Sequence, residues 1–192
     1  MAELAAAEWR RKTDVVAESA LEYSGLDPED FCDALGGDPA LMALAQKILL
    51  AASISGNDRK LRALGSLLGD AIATHRLEEN GLLVDALADF EDSQARVLNV
   101  LAGVAPDDED VRRLAGEPMA ASDPSRWLLA DVETKVPLAS EFVLACVNML
   151  TRHGLARQLY GYGGLPRFEI TNFGRVLLKT MSEAAARAQP GG

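Results

Sequence analysis

The sequence predicts a mainly α-helical chain: an N-terminal helical bundle, then further helices and one small β-hairpin. Three observations predict it. Apolar residues recur at three- and four-residue spacing through most of the first 150 positions, the period of a one-sided helix. Aspartate-proline pairs stand where helices should begin, at Asp27-Pro28, Asp38-Pro39 and Asp123-Pro124. Only after Gly154 does the period shorten to that of strands. Leu155–Tyr160 and Arg167–Ile170 read as strands, joined by the turn-rich Gly161-Tyr162-Gly163-Gly164.

Taken in order, residues 3–23 read as one helix, stopped by Gly25. Asp27-Pro28 opens a short helix through Leu35, broken at Gly36-Gly37. Behind Asp38-Pro39, Leu41, Leu44, Ala45, Ile48, Leu49 and Ala52 form one apolar face, and Gly56-Asn57 ends it. Asp58 is placed to cap the next helix, whose stripe is Leu61, Leu64, Leu67, Leu68, Ala71 and Ile72. A helix over Glu78–Phe90 carries Leu82, Leu83, Ala86, Leu87 and Phe90. Three such stripes can bury one another as an acidic helical domain over residues 1–91.

Glu91-Asp92-Ser93 marks a new start, and Val97, Leu98, Val100 and Leu101 form a helix ending at Gly103. Pro106 and Asp107–Asp110 read as a loop running into a helix start, where acids face the positive end of the dipole. Asp123-Pro124 precedes a helix over Ser125–Val132, and Pro137 opens a longer one to His153, with Gly154 just past its end. Thr171 caps a last helix through Val176, Leu177, Leu178 and Met181, and residues 184–192 are expected as a flexible tail.

The chain has 192 residues and a mass of 20.5 kDa, which suits one or two small domains. With 29 acidic against 19 basic residues, the net charge is −10. A surface that acidic excludes wrapping nucleic acid all round the molecule. Cys32 and Cys146 are far apart with no CxxC spacing, so both are expected as free buried thiols in a reducing, cytoplasmic setting. No apolar run approaches the ~18 residues of a membrane helix. The opening MAELAAAEWRRK places acid and alanine ahead of its basic cluster, the reverse of a secretory signal.

Catalytic apparatus is not legible. His75 and His153 are the only histidines, and both sit at helix ends, where a cation meets the negative end of the dipole. Neither has a second ligand at helical spacing, so no metal site is expected. G-x-S-x-G, HExxH and GxxxxGK[ST] do not occur. Asp85 and Asp89 share a helix face and read as solvated acids, Arg10-Arg11-Lys12 as an exposed face, and Trp9 and Trp127 as core or interface anchors. The expectation is a protein that binds without catalysis and needs no cofactor.

The segment HGLARQLYGYGGLPRFEITNFGRVLL, residues 153–178, resembles the winged helix-turn-helix family. The resemblance rests on the helix end His153-Gly154-Leu155, the glycine-rich two-stranded wing, and Ile170-Thr171 followed by Gly174-Arg175 and Leu177-Leu178. It covers residues 92–183. It implies a first helix over Ser93–Gly103, a second over Ser125–Val132 and a recognition helix over Leu138–His153. By analogy it also implies a DNA-binding regulator.

On that recognition helix Phe142, Cys146, Met149, Leu150 and His153 sit at core spacing, and Glu141, Leu144, Asn148, Thr151 and Arg152 face the other way. Asn148, Thr151 and Arg152 are therefore candidates for DNA contact, with Arg157, Tyr160, Tyr162 and Arg167 on the wing. Residues 137–181 carry five cations against two acids, a local +3, whereas residues 1–91 carry eight against seventeen. The polarity favours double-stranded DNA held by the wing, with the helical half used for dimerisation or another protein contact. The apolarity of residues 138–150 and the acidic total favour the alternative, a protein-interaction module of the same fold.

Overall fold

The computed structural model describes residues 2–103, 126–160 and 165–187. The expected loop and cap at Pro106–Asp110 and Asp123-Pro124, the turn Gly161–Gly164 with Tyr162, and the last residues, 188–192, lie outside them. The described chain is mainly helical with one small antiparallel sheet. It divides into two compact units, Met1–Asp89 with Lys179–Gly192, and Phe90–Leu178.

In the first unit α1 (Ala2–Ser24) ends at Gly25, whose φ of 69° is the left-handed conformation glycine tolerates. Asp27 accepts from the backbone of Glu29 and Asp30 to start α2 (Pro28–Gly37). Asp38 does the same for Ala40 and Leu41 at the start of α3 (Pro39–Ile54). These are the caps the Asp-Pro pairs predict. Asn57, not Asp58, caps α4 (Asp58–Thr74): its side chain accepts from the N–H groups of Arg59 and Lys60, while Asp58 is the first helical residue. An amide oxygen at that position does the work of a carboxylate, and Asp58 pairs instead with Arg11 at 2.8 Å.

The α4 helix packs on α1, α3 and α5 (Leu77–Ala88), and its whole predicted stripe is buried. The most extensive pairing is α1 on α4. Gly65 and Gly69 permit it: a Cβ on Gly65 would stand 2.3 Å from the Val16 carbonyl oxygen, and one on Gly69 2.6 Å from that of Ala20. The turn from α4 into α5 is tied by a buried polar cluster. Asn80 donates to Asp70 at 2.8 Å, and Arg76 reaches the same carboxylate. His75 closes α4 with φ 56°, its N–H donating to Ala71. Lys60, itself buried, donates to the Ala88 carbonyl at the end of α5.

Several expectations need correction here. Leu82 is exposed, because Leu83, Val84, Ala86 and Leu87 already fill the buried face of α5. Trp9 is 43% exposed, which removes the core from its two readings and leaves the interface anchor, and Cys32 is exposed on α2 rather than buried. Arg10 and Arg11 are exposed as expected, Arg11 in a surface pair with Asp58, whereas Lys12 is half-buried and reaches the Ser53 carbonyl. Asp85 and Asp89 are exposed as expected, and Asp85 forms a surface pair with Lys47. No helix among the described residues is long and apolar enough to cross a membrane.

The second unit begins with α6 (Asp92–Ala102), opened by a capping box between Glu91 and Gln94. Then come β1 (Trp127–Leu128), α7 (Leu129–Lys135), α8 (Ser140–Arg152), β2 (Ala156–Tyr160) and β3 (Pro166–Ile170). The expected second helix over Ser125–Val132 is thus displaced: Trp127 and Leu128 are strand, paired with Phe168 and Arg167. The sheet has three strands in the order β1-β3-β2, not the two of a lone hairpin. Trp127, 4% exposed, is the apolar anchor that draws this segment against Phe168.

The helix expected over Leu138–His153 also begins later. Val136, extended ahead of Pro137, cannot continue a helix, and α8 starts at Ser140. Its last turn ends in a Schellman motif. Leu155 N–H donates to the Leu150 carbonyl, Gly154 N–H to that of Thr151, and Gly154 has φ 70°. The helix α9 (Asn172–Arg187) follows β3. It runs past the expected start of the tail at residue 184: Ala184 is buried, and the Arg187 guanidinium lies 4.4 Å from the centre of the Tyr23 ring.

Candidate nucleic-acid interface

The base of the hairpin is fixed by one threonine and one glycine. Thr171 Oγ1 donates toward the carbonyls of Gly154 and Leu155 and accepts from Gly174 N–H. It thereby joins the end of α8, the start of β2 and the first turn of α9. Gly174 lies so close that a Cβ there would stand 2.2 Å from the Leu155 carbonyl oxygen. This corner sets the direction in which β2 and β3 leave the helices.

On the sheet, Arg157 of β2 lies opposite Glu169 of β3, and Leu159 lies opposite Arg167. Side chains alternate along a strand, so Arg157, Arg167 and Glu169 share one face, with the two arginines as diagonal neighbours. The other face carries Ala156, Gln158 and Tyr160 opposite Ile170, Phe168 and Pro166. Tyr160, 76% exposed, is therefore on the side away from the arginines. The expected wing residues split between two faces.

Arg157 is committed. Its Nε and a terminal nitrogen both donate to Oε1 of Glu169, whose side chain is only 10% exposed while that of Arg157 is 62% exposed. Arg126, just ahead of β1, approaches the other carboxylate oxygen at 3.7 Å. Neither Glu169 nor Arg126 was expected at the site. The sequence did hold a signal: an acid inside the apolar run Phe168-Glu169-Ile170 must find a cation when that strand is buried.

On α8 the buried positions are Val143, Cys146, Val147 and Leu150. Their spacing of three, one and three residues is a core stripe turned by one residue from the expected one. The β-branched pair Val143 and Val147 takes the inner face, and Phe142 is left 67% exposed. Asn148 and Arg152 are exposed as expected. Thr151 is half-buried, and its hydroxyl donates to the Val147 carbonyl at 2.9 Å, which occupies its donor. Glu141, Phe142 and Leu144 occupy the exposed surface of the first turns.

The geometry offers two arginines on one face of β2 and β3, of which Arg157 is paired with Glu169, and an exposed arginine at the end of α8. It offers no nucleophile-base pair among these residues. No cluster of three or more His, Cys, Asp or Glu among the described residues is placed to hold a metal ion. Comparison with protein-family models, curated proteins and solved structures finds no match to this chain.

Proposed function

We propose that residues 90–178 form a winged-helix-like binding module that grips the backbone of double-stranded DNA without catalysing a reaction, as a cytoplasmic regulator would. The observation that carries the reading is the pairing of Arg157 and Arg167 on one sheet face, joined to α8 through the Thr171 corner. The element order of helix, helix, hairpin and helix supports it, and so does the third strand, which steadies the wing at its base. So few cations give weak and steeply salt-dependent binding unless two copies act together.

A gel-shift series on mixed-sequence duplex at low and moderate salt tests the proposal. Retardation at low salt, lost on raising the salt and lost in the combined Arg152→Ala, Arg157→Ala and Arg167→Ala variant, is the expected result. Absence of retardation even at low salt refutes it.

A second reading has its own observation. Phe142 and Leu144, 67% and 43% exposed beside Glu141, give the start of α8 an apolar and acidic surface that repels phosphate and suits a protein partner. Loss of a protein complex on Phe142→Ser, with DNA retardation absent, favours this reading.

A further inference from the structure

Glu169 sits in the central strand of the sheet between Arg126 and Arg157. Its neighbours Phe168 and Ile170 are buried, and its own side chain is nearly so. An unpaired carboxylate there would be costly, so Arg157 and Arg126 stabilise it. The same contacts have a consequence for Arg157. A guanidinium receives a carboxylate and a phosphate through the same fork of N–H donors. On Arg157 that fork already points at Glu169 Oε1, although most of the arginine side chain is open to solvent.

We propose that Glu169 is an internal counter-charge that competes with DNA phosphate for Arg157 and holds the sheet face in a weak-binding state. The inference rests on the DNA reading above. Neutralising the carboxylate restores the full charge of Arg157 to the face, and a partner that displaces the carboxylate would do the same. When Arg157 is drawn off, Arg126, 3.7 Å from the other carboxylate oxygen, is the cation left to partner Glu169.

The test is fluorescence anisotropy on a labelled mixed-sequence duplex, with the wild type, Glu169→Gln, Arg157→Gln and the double variant. Glutamine keeps the shape and one acceptor for Arg157 but removes the charge. Each phosphate contact contributes about −0.9 to the slope of log affinity against log salt. Glu169→Gln is expected to bind more tightly at low salt and to steepen the slope by about 0.9. The loss of affinity between about 50 and 200 mM salt then grows roughly three- to fourfold. Arg157→Gln costs more affinity in the Glu169→Gln background than in the wild type, which is the coupling a shared fork requires.

Unchanged or weaker binding by folded Glu169→Gln overturns the proposal, and so does an equal cost of Arg157→Gln in both backgrounds. If Glu169→Gln melts below the assay temperature, Arg157→Gln alone decides. A slope reduced by well under 0.9 supports the counter-charge, and the full reduction of about 0.9 overturns it. Should wild type and Glu169→Gln both bind equally, the DNA reading survives and the counter-charge does not. Should neither bind at the lowest salt, the DNA reading fails and takes the counter-charge with it.

Discussion

Gly65→Ala places a methyl group where α1 and α4 meet backbone to backbone. The new carbon would lie 2.3 Å from the Val16 carbonyl oxygen and 2.7 Å from Ser19 Cβ. Carbon atoms pack best at about 3.5–4.0 Å, so the second contact alone is short by roughly 1 Å. Both obstacles are fixed to the α1 backbone, and no side chain can rotate to relieve them. In an open helix the substitution gains about 1 kcal/mol. Overpacking costs about 1–3 kcal/mol, and the upper end applies where backbone must move. The net effect is a loss of about 2 kcal/mol. That corresponds to a fall in Tm of roughly 4–8 °C for a chain of this size.

The matched control is Gly81→Ala in the interior of α5, where nothing lies within 4 Å of the added carbon. It should gain up to about 1 kcal/mol by helix propensity alone. Two identical substitutions in neighbouring helices thus shift thermal unfolding, followed by circular dichroism, in opposite directions. A Gly65→Ala protein as stable as wild type would refute the close α1–α4 crossing.

Other outcomes follow from the same contacts. Gly174→Ala drives a carbon to 2.2 Å from the Leu155 oxygen, so it should loosen the hairpin, visible as faster amide exchange over 156–160 and 166–170. Unchanged exchange would contradict the tight corner. Asp38→Ala removes the acceptor for the N–H groups of Ala40 and Leu41 and should cost about 1 kcal/mol in denaturant unfolding.

Glu8 supplies a pH test. Its hydrogen bond from Arg11 holds its carboxyl below the ordinary value of 4.5. A depressed folded value means the stability it adds is complete above the unfolded value and is lost as pH falls through the lower folded one. In Arg11→Gln the Glu8 titration, read by NMR, should move up toward 4.5. A titration that stays in place would exclude Arg11 as the cause.

What the sequence made legible was chiefly local. Asp27 and Asp38 cap because a carboxylate beside proline has few other roles at a helix start, and Gly154 ends α8 because only a left-handed residue fits there. The α4 stripe was readable because one face of that helix is continuously apolar. What escaped was tertiary. Trp127 and Leu128 became strand because β3 offered them an edge, and two residues carry no period of their own. Phe142 lost the core to Val143, since either stripe on α8 has helical spacing and packing chose between them. The part played by Gly65 and Gly69 shows only where α1 lies against them, since a glycine inside a helix carries no sign of its neighbour. At the candidate interface the arginines were visible, but the registry that sets Arg157 against Glu169 was not.

The most direct measurement is a titration of the labelled protein with mixed-sequence duplex DNA, followed amide by amide in heteronuclear NMR spectra. The account predicts salt-reversible shifts over 148–160 and 166–170, with Arg152, Arg157 and Arg167 among them. Shifts confined to the turns around Phe142 and Leu144, to residues 2–89, or to nowhere in the spectrum would contradict it.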